Sequence, residues 1–339
     1  MSGYVLGMDF SALTRPATEL IDGAMDRALV LGYTKIGSGL RRHWWPADPQ
    51  ADSMVGKRVV VSGATAGIGF AMAQGFAELG ATVHLLGRDA GTVAGGAAAI
   101  REAVPDADVV EEVCDVSDLD AVREWTAAFS DRVPALDGLV HNAGLMPKER
   151  MLSPQGHEVQ LATHVLGPHL MTDRLLPLLR AARGSSVVFV SSGGMYSSPL
   201  VVDDLEYRHG YNGVRAYART KKIQVVLADS WARRLAGSDV RVESMHPGWV
   251  DTPGLEEALP KFRRVVGPLL RSPQQGADTL VWLAADDGTP LTTNSRFWLD
   301  RRPRPLHKIG RTRRSDTPEE RERLWAWCVE RAGVDPFGS

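Results

Sequence analysis

The chain has 339 residues, of which 44% are hydrophobic and 24% charged, and carries a formal net charge of −2. It can bury an ordinary core, and the near-neutral balance excludes a bulk electrostatic drive toward nucleic acid or an anionic membrane. Its two cysteines, Cys114 and Cys328, are far apart and argue against a disulfide framework or a cysteine metal site, and no apolar run reaches the ~20 residues of a membrane span.

The N-terminus lacks the basic start, apolar middle and small-residue cleavage site of a signal peptide, so a soluble, cytoplasmic setting is expected. Residues 1–50 read as an N-terminal extension, partly helical. Leu20, Ile21, Ala24, Met25, Ala28, Leu29 and Leu31 recur at roughly helical spacing, and Arg41, Arg42, His43, Trp44 and Trp45 follow before Pro46. The segment suits a helix packed on the main domain. Tryptophans beside arginines also suit peripheral contact with a membrane surface.

From residue 51 to 300, short β-branched runs alternate with helical patterns. Strands are predicted at Arg58–Ser62, Thr82–Leu86, Asp108–Cys114, Leu136–His141, Ser186–Val190 and Val240–Met245. Helices are predicted from the glycine-rich turn to about Leu79, over Ala90–Ala103 and over Leu119–Phe129 behind a Ser117 cap. Two longer ones follow, over Glu158–Ala182 and Val214–Leu235. This alternation implies one α/β domain built on a doubly wound parallel sheet. Residues 301–339 read as a C-terminal extension. Arg301–Arg314 is a basic, proline-interrupted linker expected to be solvated, and a final helix opens at Thr317-Pro318-Glu319-Glu320. No motif that reads nucleic acid accompanies the basic run, so no nucleic-acid partner is expected.

Two stretches of this frame carry chemistry. Gly63-Ala64-Thr65-Ala66-Gly67-Ile68-Gly69 lies between the first strand and the first helix, where a pyrophosphate approaches unpaired N–H groups. Its spacing differs from Gly-x-Gly-x-x-Gly. At the end of the second strand an acid would bond both ribose hydroxyls and select NAD. Gly87 and Arg88 stand there instead, leaving room and positive charge for a 2′-phosphate. Asp89 is shifted by one and equally suits a helix cap. NADP(H) is therefore the preferred cofactor, with NAD(H) still admissible.

The second stretch is Tyr217-Ala218-Arg219-Thr220-Lys221. Residues four apart on a helix share a face, so the phenol and the ammonium point the same way. Lowering a phenol pKa by about three units needs ~4 kcal/mol, which one ammonium ~4 Å away supplies at an effective dielectric of ~20. The pair can therefore form a general acid/base that works near neutrality. Lys222 should point away from it, into solvent. No Gly-x-Ser-x-Gly elbow surrounds Ser192, which argues against a serine hydrolase.

Taken in order, Gly63/Gly67/Gly69, Asp115, Asn142-Ala143-Gly144, Ser192, Tyr217/Lys221 and Pro247-Gly248 with Thr252 resemble the short-chain dehydrogenase/reductase family from about Gly56 to Leu299. Finer features narrow the resemblance to a subgroup with a similar extension around Tyr33-Thr34-Lys35. These are Ser191-Ser192-Gly193-Gly194-Met195, His246-Pro247-Gly248-Trp249 and Arg296-Phe297-Trp298. The resemblance implies a Rossmann-type fold and a dinucleotide held by Gly63, Thr65, Ala66, Gly67, Ile68, Gly69, Arg88, Asp115 and Val116. Asn142, Ala143, Gly144, Pro247, Gly248, Val250 and Thr252 would complete that contact set. It further implies that Asp115 bonds the adenine amino group, that Lys221 holds the nicotinamide ribose while lowering the Tyr217 pKa, and that Ser192 donates to the substrate oxygen.

One position departs from the family pattern. His164, within Leu161–Gly167, stands where the family usually carries an asparagine that holds a water linking the lysine to solvent. Histidine there could bond a water, relay the proton itself, or sit in the core with its nitrogens satisfied. His157, His164 and His169 do not fall on a common helical face, and no metal is expected.

Leu255–Arg271 follows the sixth strand, where the family places a lid, and its leucines, valines and Phe262 are apolar enough to cover a lipophilic molecule or to close the core. With Met195 and Trp249 nearby, the expected substrate is a small hydrophobic alcohol or carbonyl compound. The expectation is an NADP(H)-dependent oxidoreductase with Ser192, Tyr217, Lys221 and His164 at its centre. The alternative is an NADP-binding regulatory or scaffold protein with little turnover. Pairing into a homodimer through the two long helices is a further family property that the extensions could reinforce or block.

Overall fold

The computed structural model describes residues 15–285, 288, 292–334 and 337. The first 14 residues of the N-terminal extension therefore lie outside the described residues, as does the side chain of Leu29. Eight strands form one sheet: β1 (Arg58–Ser62), β2 (Thr82–Gly87), β3 (Val109–Val113), β4 (Gly138–His141), β5 (Ser186–Val190), β6 (Arg241–Met245), β7 (Phe297–Leu299) and β8 (Arg302–Arg304). Their order is β3-β2-β1-β4-β5-β6-β7-β8, parallel throughout except for the antiparallel edge strand β8. The order reverses between β1 and β4, and in such sheets the crevice beyond the strand C-termini at that reversal is where ligands bind.

Alternate residues of each strand feed opposite cores, as the two-residue period of a strand requires. Val59 and Val61 face one layer while Val60 faces the other; Val188 and Val190 oppose Val187 and Phe189 in the same way. The first layer holds α4 (Gly67–Glu78) and α5 (Ala90–Ala103), while α1 (Arg15–Arg27), α2 (Leu29–Tyr33) and α3 (Lys35–Arg41) gather at the β8 end, where Tyr33 joins Phe297, Leu299 and Met195 in a smaller third cluster. The opposite layer holds α6 (Leu119–Arg132), the short α7 (Val159–Leu161), α8 (Gly167–Ala181) and α9 (Gly213–Arg234). A π-helical turn, Ala162–Leu166, divides α7 from α8, so the expected single helix over Glu158–Ala182 is interrupted at His164. After β6 come α10 (Pro253–Ala258), α11 (Pro260–Val266) and α12 (Pro273–Ala285), and after β8 come α13 (Gly310–Arg314) and α14 (Pro318–Ala332). Helix α12 packs on α4. It opens on a capping box in which the Ser272 hydroxyl accepts the Gln275 amide and the Gln275 side chain accepts the Ser272 amide.

The basic stretch after residue 300 is not a solvated linker. Arg302–Arg304 is the sheet's edge strand, and Arg301 and Arg304 are buried. Arg301 reaches Asp278 at 2.7 Å, Asp48 at 2.6 Å and the carbonyls of Pro46 and Ala47, while Arg304 forks onto Asp22 at 2.6 and 3.1 Å. These carboxylates come from elements remote in sequence, so the chain-local pattern of arginines and prolines does not reveal them. Lys222 is likewise buried and pairs with Asp316 at 3.0 Å, where solvent was expected.

The described parts of both extensions are built into the domain. In the N-terminal segment Arg41 is buried between Asp22 and Asp300, each at 2.6 Å, and Arg301 stacks over the Trp45 ring at 4.7 Å. These contacts support the helix packed on the main domain, with Trp44 and Trp45 both half-buried. At the other end, α14 sets Leu324, Trp325 and Cys328 into the core beside Trp231. No helix among the described residues is long and apolar enough to cross a membrane.

Candidate active site

The cleft at the C-terminal ends of β1, β4, β5 and β6 encloses about 830 Å³. Its floor is the glycine turn. Gly63 takes a φ of +65°, and a Cβ on Gly69 would lie 2.2 Å from the Gly63 carbonyl oxygen, so no side chain fits at either place. Helix α4 begins at Gly67 behind Ala66, which offers no side-chain cap, and its first N–H groups are left for another acceptor. Asn142 braces this turn from β4: its amide donates to the carbonyls of Ser62 and Gly63, both at 3.0 Å. The Ser62 hydroxyl in turn accepts the Asn142 and Ala143 amides and donates to the Val140 carbonyl. Ser62 is thus a hub of the site, and a serine ending a strand is no signal of that by itself.

Next to the turn, Arg88 is exposed at the rim of the cleft. Asp89 is occupied: its carboxylate caps α5 by accepting the Thr92 amide at 2.8 Å. Asp115 lines the cleft with one oxygen held by the amide and hydroxyl of Ser117. A close-approach turn, an uncapped helix N-terminus, an exposed arginine and a fixed carboxylate in sequence along one crevice fit a dinucleotide. Val116, Pro247, Gly248, Val250 and Thr252 line the same cleft, with Thr65, Ala66, Ile68 and Gly144.

Ser192 lies two residues past the end of β5, capping the turn Gly193–Ser197, and Tyr217 and Lys221 come from α9, capped by Asn212. The Ser192 and Tyr217 side chains line the same part of the cleft, with Ser192 near enough to favour the ionised phenol. Lys221 is buried, its Nζ lying 5.4 Å from the Tyr217 ring centroid and donating to the Val190 carbonyl at 2.8 Å. The electrostatics differ from the expectation that Lys221 draws the phenol toward neutrality. Burial pushes the phenol up to about 12, with only the neighbouring Ser192 side chain opposing it. Burial also pushes the Lys221 ammonium down to about 7. Desolvation outweighs attraction because the ammonium is turned to a backbone carbonyl and is itself poorly solvated.

His164 lies behind the cleft wall, fully buried, with its ring edge-on to Tyr217 at 5.5 Å. Its Nε2 accepts the Leu145 amide at 3.2 Å, and Nδ1 lies 2.8 Å from the Thr220 hydroxyl. Burial, assisted by Lys221, holds its pKa well below the usual histidine value. With both nitrogens engaged and the ring neutral, His164 has no site left for a water or a travelling proton. The expected relay is corrected to a structural tie.

Across the cleft, α10 and α11 form the expected cover. Trp249, Leu255, Leu259 and Phe262 line the interior, and Trp249 meets Phe262 edge-on at 5.0 Å. Arg263 latches the cover to Asp251 at 2.7 Å and to Glu256 at 3.0 Å.

Known proteins share this arrangement. A family model described as enoyl-(acyl carrier protein) reductase matches residues 63–297. The dehydrogenase/reductase SDR family member 12 of Bos taurus is 36% identical over 293 residues, 86% of this chain and 91% of its own. The chain belongs to the short-chain dehydrogenase/reductase family. It is an oxidoreductase acting on CH–OH groups. Among solved short-chain dehydrogenase/reductase-like folds, an uncharacterised protein from Mycobacterium paratuberculosis superposes with a TM-score of 0.67 at 27% identity, covering 86% of this chain and 98% of its own. A short-chain dehydrogenase from Escherichia coli CFT073, complexed with NADPH, gives 0.59 at 25% identity, covering 75% and 100%.

Proposed function

We propose that this short-chain dehydrogenase/reductase uses NADP(H), and accepts NAD(H) less well, to interconvert a lipophilic alcohol and its carbonyl compound. The observation that carries the reading is the gathering of Ser192, Tyr217 and Lys221 in one glycine-floored cleft, with the Lys221 Nζ 5.4 Å from the Tyr217 ring centroid. Arg88 supports the 2′-phosphate preference, because Asp89 is committed to its helix cap.

A bound nicotinamide dinucleotide supplies or accepts the hydride. Gly63, Thr65, Ala66, Gly67, Ile68 and Gly69 hold its pyrophosphate, Arg88 its 2′-phosphate, and Asp115 with Val116 its adenine. Asn142, Ala143, Gly144, Pro247, Gly248, Val250 and Thr252 line the rest. In the reductive direction Ser192 donates to the substrate carbonyl oxygen and fixes its orientation. Tyr217 delivers its hydroxyl proton to that oxygen as the carbon is reduced, which yields the neutral alcohol. Lys221, one turn along, then returns a proton to the tyrosinate and regains its own from solvent. A group held near pH 7 suits that return, since it changes charge at little cost in the working range. His164 takes no part in the transfer.

The lipophilic character rests on the cleft wall. Leu145, Met146, Val214, Trp249, Leu259 and Phe262 face the space beyond Ser192. Of the charged lining residues, Arg88, Asp89 and Asp115 stand at the ends of β2 and β3, which leaves only Lys221 near the reacting end. A carboxylate or phosphate substrate would find no other fixed counter-charge there. The C-terminal helix α14 lies on α8 and α9, which supports a single-chain enzyme over a homodimer formed through those two helices.

The test is NADPH oxidation with a panel of lipophilic ketones and aldehydes, run beside Tyr217→Phe. Losing the proton donor should lower kcat by about 10²-fold or more. Tight NADPH binding without Tyr217-dependent turnover on any member of the panel would favour the scaffold alternative.

A further inference from the structure

We propose that Tyr33, at the end of α2 in the N-terminal segment, is a positioning residue for the substrate end of the site. It is only 2% exposed although it belongs to an extension outside the strand–helix repeat. Its ring fills the space beside Gly193, the residue after Ser192: a Cβ on Gly193 would lie 2.6 Å from Tyr33 Cε2. On its other side Tyr33 presses on the loop after β6. A Cβ on Gly248 would lie 2.8 Å from the Tyr33 carbonyl oxygen, and that oxygen accepts the Trp249 amide at 2.8 Å. The ring also stands edge-on to His246 at 4.7 Å and to Trp249 at 6.0 Å. Trp249 then meets Phe262 of the cover. One chain of contacts thus runs from the N-terminal segment through the cleft wall to the lid.

The wedge is held from behind. Arg41 donates to the Gly32 carbonyl at 2.8 Å, and Arg271 donates to the Gly32 and Tyr33 carbonyls at 3.0 and 3.1 Å. Asp300 joins the two arginines, accepting from Arg271 at 2.6 Å and from Arg41 at 2.6 Å. Lys308 reaches the Tyr33 hydroxyl at 3.1 Å. These contacts fall on the loops that follow β5 and β6. The phosphate turn follows β1, two strands away from β5 in the sheet. Tyr33 should therefore govern mainly how substrate is seated against Ser192 and Trp249, with a smaller effect on the dinucleotide, which meets the same loop at Pro247 and Gly248. A small misplacement of reacting groups is enough to lower a rate strongly.

The kinetic arm of the test rests on the proposed activity; the exchange arm does not. Full-length Tyr33→Leu and Tyr33→Phe are compared with the parent by amide hydrogen exchange, NADPH titration and steady-state kinetics on whichever carbonyl compound the parent reduces. Tyr33→Phe keeps the ring and should match the parent within about twofold. Tyr33→Leu should speed exchange across 191–198 and 246–252 by about tenfold and lower kcat/KM by a similar factor, with NADPH affinity falling by no more than about threefold. If Tyr33→Leu does not fold, Gly193→Ala presses on the same ring from the opposite side and should give the same signature. The proposal is overturned if exchange in the two loops stays at the parent rate, if it accelerates uniformly over the sheet, or if NADPH affinity falls in step with kcat/KM. A parent with no turnover would count against the enzymatic reading, while the exchange pattern would still decide the role of Tyr33.

Discussion

Nδ1 of His164 lies 2.8 Å from the Thr220 hydroxyl, one residue before Lys221. Because Nε2 accepts the Leu145 amide, the proton must sit on Nδ1 and be donated to Thr220, whose own hydroxyl is then directed to the Tyr217 carbonyl. The imidazole thus ties the loop after β4 to the helix that carries Tyr217. Gly144 is part of the same fit, since a Cβ there would lie 3.0 Å from Nε2.

Replacing that ring should cost stability more than chemistry. His164→Ala strands the buried Leu145 amide and should destabilise the fold by about 1–3 kcal/mol. The ionisation limbs of kcat against pH should stay where the parent has them, because a neutral residue does not titrate in the working range. A pH–rate profile beside a urea titration checks both halves. A displaced limb would restore the relay role.

Lys221 offers a pH test with a definite sign. Its ammonium titrates at about 7 in the fold against 10.5 in the unfolded chain. Between those values the unfolded state binds more protons, so the parent gains stability as pH rises through the window. Below about 7 the burial penalty is present in full. Lys221→Met should abolish turnover yet melt higher than the parent at pH 6, with the advantage shrinking by pH 9.5. Thermal melts of the two proteins without dinucleotide decide this.

Asp300 tests the buried network. Burial alone would raise its carboxyl, but the charges and hydrogen bonds of Arg271 and Arg41 outweigh burial and hold it at about 2. Its contribution is therefore complete above the ordinary 3.8 and is lost as pH falls from 3.8 through about 2. Asp300→Asn leaves buried Arg271 without its counter-charge and Arg41 with Asp22 alone, and should cost about 3–5 kcal/mol. Denaturant unfolding at pH 7 measures it; a loss under about 1 kcal/mol would show that the arginines find other partners.

Arg88 decides between the two nicotinamide dinucleotides. Arg88→Ala should weaken NADPH by about tenfold or more, the worth of one charge-assisted contact, and leave NADH within about twofold. Titrating both into the same preparation is sufficient. Equal losses for the two would place the 2′-phosphate elsewhere.

Local pattern was enough for the parallel sheet, the glycine turn and the shared helix face of Tyr217 and Lys221, while Ser192 came from the family resemblance. A strand's period and a helix's four-residue step are properties of neighbouring residues, and a phosphate turn needs glycines in one short run. Even the capping box at Ser272-Pro273-Gln274-Gln275 could be read from four letters. Where Arg301 and Arg304 find their carboxylates, what both nitrogens of His164 touch, and why burial prevails over Lys221 at the Tyr217 phenol were decided only when the chain closed on itself. Burial and ion pairing join residues hundreds of positions apart, as Arg41 joins Asp300. No stretch of sequence holds both partners, so the placing of Tyr33 against the catalytic loops belongs to the tertiary structure alone.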